Sequence, residues 1–230
     1  MVNNNFKDTN WDYEKTYHPT IKGVQIVDGK NNFSISWLNQ MAYCEQQLNL
    51  QYLKGIETKR TPQMKQGSSE HKKLEDEFLK TAKTATLEEI VDISHKEKTI
   101  SREMFVLSKN YGIRGFIDEI WMMPNKIVII DDKPGKKAYQ SAIDQIRAYC
   151  LAFKDMINEK RQLVGAIRER GTDNIIYKEE FDENVENNIK ERINRLHGLF
   201  EGTKPFIPTK NPNKCKSCRF QSYCEYAQTQ

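Results

Sequence analysis

No stretch of the 230-residue chain approaches the roughly 18–20 consecutive apolar residues that cross a bilayer, which excludes a membrane-spanning helix. The segment from Met1 to Trp11 is polar and lacks the apolar run of a secretory signal, so the sequence predicts a cytoplasmic protein. Charge of one sign is also scarce. The 36 Lys+Arg residues face 32 Asp+Glu, a net +4, far from the excess of histone-like or tail-type binders. That balance permits an anionic partner without arguing for one. No internal repeat and no low-complexity linker divides the chain. Cysteines are few, and five in a reducing compartment read as free thiols or metal ligands rather than disulfides. What remains is polar, with a mean hydropathy of −0.78. Its 37% hydrophobic and 10% aromatic content is still enough for a folded core.

The periodicity changes along the chain. Val24–Val27 is a short apolar stretch closed by the turn signal Asp28-Gly29. From Ser34 to about Lys54, Leu38, Met41, Leu48 and Tyr52 recur at helical spacing, with Ser36 available as N-cap. Pro62 interrupts, a second helix is predicted from about Gly67 into Thr81, and a charged connector follows. Strand alternation begins after Arg102, through Phe105 and Leu107, then Gly115–Trp121 and Ile127–Asp131 with Pro124-Asn125 between them. A helix from about Ala138 to Asn158 and short strands near Leu163–Arg168 and Asn174–Lys178 come next. A last amphipathic helix through Val185, Ile189, Ile193, Leu196 and Phe200 is stopped by Gly202.

One hairpin stands out chemically. Asp118 and Asp131 are equidistant from the Pro124-Asn125 turn, so a tight antiparallel register sets them opposite each other, with Cβ atoms about 5 Å apart. Lys133, two residues beyond Asp131, projects from the same face. Two close carboxylates repel unless a cation sits between them, and hard oxygen donors suit Mg²⁺ or Mn²⁺. An ammonium beside that cation can orient water and offset charge developing on a phosphate. The plain alternative is a solvent-facing acidic and basic hairpin, and a one-residue register slip at Pro124 stays open.

Together the motifs resemble the PD-(D/E)xK nuclease superfamily. Gly115-Phe116-Ile117-Asp118 looks like its Gly-x-x-Asp element, and Asp131-Asp132-Lys133 is similar to its acidic-x-Lys element. Gln145-Ile146-Arg147-Ala148-Tyr149 resembles the Gln-x-x-x-Tyr motif of the RecB-like branch, and Gly67-Ser68-Ser69-Glu70-His71 that branch's His motif. The resemblance implies an α/β, restriction-endonuclease-like core with a mixed sheet flanked by helices. It also implies a cation held by His71, Asp118, Asp131 and the backbone carbonyl of Asp132, with Lys133 at the water and Gln145 and Tyr149 positioning DNA and that lysine. Lys136 and Lys137 are candidate phosphate contacts; a solvated loop is the competing reading.

Cys215, Cys218 and Cys224 form a ligand-spaced trio that a fourth cysteine would complete, either Cys44 or Cys150. Cys150 lies on an apolar stripe and reads as a buried thiol. A remote N-terminal cysteine plus a C-terminal trio is similar to iron–sulfur RecB-like nucleases. The resemblance therefore implies a [4Fe–4S] cluster on Cys44, Cys215, Cys218 and Cys224 that joins the two chain ends, with structural zinc as the alternative. Relatives often carry Cys-Pro-Arg where this chain has Cys44-Glu45-Gln46. The length leaves no room for a helicase, so the chain resembles the small CRISPR-associated RecB-like exonucleases.

The expected organisation is a leader of unknown role, 1–33, then one nuclease domain, 34–230. Within it lie a helical part with Cys44 and His71 (34–100), a catalytic core (101–180) and a C-terminal helix with the cysteine trio (181–230). The expected activity is Mg²⁺- or Mn²⁺-dependent cleavage of single-stranded or overhang-bearing DNA, 5′ to 3′, that processes fragments for CRISPR spacer acquisition beside the spacer integrase. Two alternatives are a signal-recognising subunit that cuts only with its partner, and a phage, plasmid or repair nuclease outside CRISPR. Lys204, Lys210, Lys214, Lys216 and Arg219 lie between Thr203 and Cys224 with no acidic residue among them. That concentration makes Lys214, Lys216 and Arg219 candidate DNA contacts.

Overall fold

The computed structural model describes residues 2–6, 14–59 and 62–228; residues 7–11 of the polar leader and the Ser68 side chain lie outside the described residues. In chain order the elements begin with β1 (Val2–Phe6), β2 (Lys15–Tyr17), β3 (Gln25–Val27), β4 (Lys30–Ser34), α1 (Ser36–Tyr43) and α2 (Glu45–Leu48). A π-helical turn over Asn49–Leu53 leads to α3 (Pro62–Leu79), β5 (Lys83–Ala85), α4 (Leu87–Ser94), β6 (Thr99–Ser108), β7 (Ile113–Met123) and β8 (Lys126–Lys133). The chain closes with α5 (Gln140–Ile157), β9 (Gln162–Glu169), β10 (Ile175–Glu180), α6 (Glu183–Phe200) and α7 (Pro212–Lys216).

The architecture is a mixed sheet flanked by helices. Its order is β10-β9-β8-β7-β4-β3-β2, with β6 also on β7 and β1 on both β5 and β6. The β6–β7–β8 meander is antiparallel, whereas β8–β9 and β4–β7 are parallel. Ile117, Ile120, Ile127, Ile129, Ile146, Leu163 and Ile167 are fully or almost fully buried in the main core, and α5 crosses the sheet over β6, β8 and β9. Burying such side chains contributes roughly 1.5–3 kcal/mol each.

Several expectations change here. The leader is part of the sheet: β1 pairs with β6, and β4 pairs with β7 at Phe33 and Ser34. The predicted helix over 34–54 is broken at Cys44, whose extended backbone (ψ 120°) separates α1 from α2. The residue before the first turn is Ile35, and Ser36 lies inside the helix rather than at its cap. Pro62 does not interrupt a helix but opens α3, where its fixed φ and missing N–H cost nothing. The charged connector contains α4, fastened by a capping box in which Thr86 and Glu89 satisfy each other's backbone N–H groups.

Candidate active site in the fork of the sheet

The hairpin register is the symmetric one. Met123 pairs with Lys126 and Glu119 with Ile130, which sets Asp118 and Asp131 one step beyond the last bonded pair. At that point the sheet forks. On one side β7 is paired with β8 over Glu119–Met123 and with β4 over Ile113–Arg114, so Gly115–Asp118 lie between the two ladders. The N–H of Asp132 donates to Asp118 Oδ2 at 2.7 Å, so a side chain takes the place of a ladder carbonyl. Gly115 is required in this fork. A Cβ there would meet Cε1 of Tyr149 at 2.8 Å, closer than real contacts allow.

Four of the expected residues form one chain of contacts. Lys133 Nζ donates to Asp131 Oδ1 at 3.1 Å and to Gln145 Oε1 at 2.9 Å. It also stands 2.8 Å from Asp131 Oδ2, but without hydrogen-bond geometry, so that buried oxygen has no hydrogen bond. Gln145 Nε2 donates to the hydroxyl of Tyr149 at 3.3 Å, as the i, i+4 spacing on α5 requires. Asn39 of α1 adds a donor to Gln145 Oε1 at 3.2 Å. His71, on α3, places Nδ1 3.7 Å from Asp118 Oδ1 and 3.6 Å from Glu103 Oε1. Its Nε2 stands 3.0 Å from Arg170 Nη2, which also donates to the Asp132 carbonyl at 2.9 Å. That carbonyl keeps a second lone pair.

The electrostatics follow from burial. Desolvation, with Asp131 adding to it, pushes the Asp118 carboxyl up to about 7 against the opposing pull of His71, Lys133 and the Asp132 N–H. The neighbouring Glu103 carboxylate is the largest influence on His71 and raises it. Burial drives Tyr149 well above the usual phenol range, so it acts as a neutral hydroxyl. Strong perturbation of neighbouring groups marks functional sites more often than scaffolding.

Asp132 points to the opposite face of the sheet, into a row of buried charge. Arg168 Nε donates to Asp132 Oδ1 at 2.7 Å and Arg168 Nη1 to Glu119 Oε1 at 2.9 Å; Arg102 bonds both acids from β6. Burial alone would raise Asp132, but the two guanidinium groups hold its carboxyl below the usual range. This row locks the backbone between Asp131 and Lys133 from behind. Sequence reasoning missed it, along with Glu103, Arg170 and Asn39, since each acts across elements distant in the chain.

Cys44, Cys215, Cys218 and Cys224 line one pocket, and Cys150 is apart from them, fully buried, its thiol pushed up by desolvation. The tail is held onto α1 and α2. Tyr43 Oη donates to the Lys214 carbonyl at 2.7 Å, and Lys214 Nζ donates to the carbonyls of Ala42 and Tyr43 at 3.2 and 3.0 Å. Gln47 and the Thr209 N–H aim donors at the sulfurs of Cys218 and Cys44, at 3.4 and 3.3 Å. Glu45 holds Arg195 and the Ile207 N–H, which gives the departure from Cys-Pro-Arg a structural role. Among the described residues, the His/Cys/Asp/Glu grouping whose ligand atoms all fall within 4.8 Å of one another is His71, Glu103 and Asp118.

Two of the candidate DNA contacts are already engaged. Lys214 is turned inward, and Arg219 Nη2 donates to Gln51 Oε1 at 2.6 Å. Lys136, Lys137 and Lys216 are exposed.

Residues 27–126 match the family described as "Exonuclease V - a 5' deoxyribonuclease". The matched stretch, under half of the chain, includes Cys44, His71 and Asp118 and ends in the hairpin before Asp131 and Lys133. No curated protein matches. Among solved structures, one similar chain is titled a putative exonuclease from Eubacterium rectale, 14% identical, covering 86% of this chain and 90% of that one with a TM-score of 0.49. Another is titled SSO0001, 16% identical, covering 87% and 88% of the two chains with a TM-score of 0.43.

Proposed function

We propose that this protein is a divalent-cation-dependent DNA exonuclease. The observation that carries the reading is the sheet fork, where Asp118, Asp131, His71 and a Lys133 fixed by Gln145 share one site. The match of residues 27–126 to a 5′ deoxyribonuclease family supports it independently. The donor set fits Mg²⁺ or Mn²⁺: hard carboxylate oxygens, an imidazole, and a buried Asp131 Oδ2 that no hydrogen bond satisfies. The residues that would hold the cation are His71, Asp118, Asp131 and the Asp132 carbonyl. When bound, it supplies positive charge that polarises the scissile phosphate and its water nucleophile.

The chain's own groups do the rest. Lys133 is an ammonium whose direction is set by Asp131 and Gln145, so it meets phosphate charge without reorganising. Tyr149 and Asn39 hold Gln145, and Gln145 holds Lys133. Single-stranded DNA as substrate is supported by Phe116, 55% exposed and two residues from Asp118, with its ring centroid 5.3 Å from that of Phe105. Aromatic surface beside a phosphate site stacks unpaired bases.

The cysteine pocket is proposed to hold a [4Fe–4S] cluster on Cys44, Cys215, Cys218 and Cys224, with structural zinc as the alternative; the shared pocket and the two donors aimed at sulfur support a site of thiolate ligands. A role in trimming DNA for spacer acquisition beside an integrase is the finer form of this reading; it rests on the sequence resemblance.

The test is degradation of end-labelled oligonucleotides by purified protein with Mn²⁺. Loss of single-stranded DNA from the 5′ end, abolished by EDTA, is expected, and intact DNA under all cation conditions would overturn the assignment. Iron and sulfide assays on anaerobically purified protein test the cluster: about four of each per chain is expected, and a zinc-loaded, iron-free preparation refutes it.

A further inference from the structure

The cation donors implied by the sequence motifs are not the ones the side chains bring together most closely. Asp131 is held by Lys133, and the Asp132 carbonyl accepts from Arg170. His71 Nδ1 instead faces two carboxylates, Glu103 at 3.6 Å and Asp118 at 3.7 Å. Glu103 belongs to none of the motifs.

We propose that Glu103 is a ligand of the divalent cation, held jointly by His71 Nδ1, Glu103 and Asp118. The inference deepens the proposed function and rests on its cation-dependent site. Donors around a cation with bonds near 2.1 Å stand about 3.0 Å apart when adjacent and about 4.2 Å apart when opposite. The three donor atoms all lie within 4.8 Å of one another, so a small tightening completes the arrangement. Two carboxylates with an imidazole suit Mn²⁺. A separate observation points to the same place: Asp131, with only 2% of its side chain exposed, lies close enough to raise Asp118, and its Oδ2, though 2.8 Å from the Lys133 ammonium, makes no hydrogen bond.

The backbone is shaped to deliver Glu103. It sits in the middle of β6 with φ +48°, in the left-handed region. The register is nevertheless unbroken: Arg102 pairs with Glu119 and Met104 with Ile117, so the residue opposite Glu103 is Asp118. A left-handed non-glycine residue costs about 1–2 kcal/mol, and the surrounding ladder holds it in place. The tautomer has a consequence for Arg170. A cation on Nδ1 leaves the ring proton on Nε2, where it meets a second donor, Arg170 Nη2. Cation binding therefore turns Arg170 away from His71 while its bond to the Asp132 carbonyl can persist.

The experiment is calorimetric titration of MnCl₂ into the full-length protein and its variants, with melting of the metal-free forms measured alongside. Glu103→Gln is expected to weaken Mn²⁺ binding by at least about tenfold. Glu103→Gly should show the same loss while its metal-free melting midpoint holds or rises, because glycine removes the left-handed strain. Binding of wild-type strength in either variant would overturn the proposal. So would affinity that falls only in step with the melting midpoint, which marks a structural residue. Mn²⁺ binding that needs Glu103 in a protein that leaves DNA intact would refute the nuclease reading and keep this ligand. DNA hydrolysis with undiminished Mn²⁺ binding by Glu103→Gln would do the reverse.

Discussion

Gly115 controls how closely α5 can approach the fork. Replacing it by alanine sets a Cβ 2.8 Å from the Tyr149 ring, with Ile35 also close, in a part of the core that has no room to give. Overpacking of this kind costs about 1–3 kcal/mol. Gly115→Ala should lower the unfolding free energy by that amount, read as a lower urea midpoint, and, by tilting Tyr149 and Gln145, slow hydrolysis as well. A midpoint equal to that of wild type would show that the fork relaxes freely. At this scale the sequence revealed the motif residues but not their partners. Glu103 and Asn39 lie 15 and 106 residues from Asp118 and Gln145, and no local periodicity connects them. The unusual backbone of Glu103 has no signature in its residue type.

Among the elements, the meander was legible because its turn is short. With Pro124-Asn125 fixed, the register and the opposition of Asp118 and Asp131 followed from counting. Of the first four strands only β3 left a trace, the apolar stretch ending at Asp28-Gly29; β1, β2 and β4 were not legible, since three to five mostly polar residues stabilise a strand only when a neighbour supplies the ladder. The helix α4 carried a readable signal, Thr86 three residues before Glu89, that the surrounding charge obscured. The helix α6 carries a pH dependence. His197 donates to the Tyr111 carbonyl at 3.0 Å, and burial lowers its pKa. The folded state thus favours neutral imidazole. Its contribution is complete above the unfolded value of about 6.5 and is lost as pH falls through the depressed folded value. The denaturation midpoint should drop between pH 7.5 and 5.5, and His197→Gln, which keeps a donor, should drop less. Equal slopes in the two proteins would remove His197 as the cause.

For the whole molecule, the C-terminal segment meets the junction of α1 and α2 at the cysteine pocket, with Cys44 beside Thr209 and Tyr43 against Lys214, while the N-terminal strand β1 lies in the sheet on β5 and β6. Active site and pocket share α1, which carries Asn39 at one and Tyr43 at the other. Loss of a proposed cluster ligand should therefore loosen the tail and the start of α2 before the fork. In Cys215→Ala, amide exchange should accelerate over residues 43–54 and 205–227, with β7, β8 and α5 remaining protected. Global loss of protection would mean that the pocket holds the entire fold. The mild overall charge hides the basic tail, and the structure narrows its meaning: two of its five cations fasten the tail to the chain.

The central claim is that Lys133, held by Asp131 and Gln145, acts on phosphate at this fork. Single-turnover hydrolysis of a 5′-labelled single-stranded oligonucleotide by Lys133→Ala with saturating Mn²⁺, its fold verified by circular dichroism, tests it most directly. The account predicts a rate at least about 10²-fold below wild type with Mn²⁺ binding retained; a rate equal to wild type would contradict it.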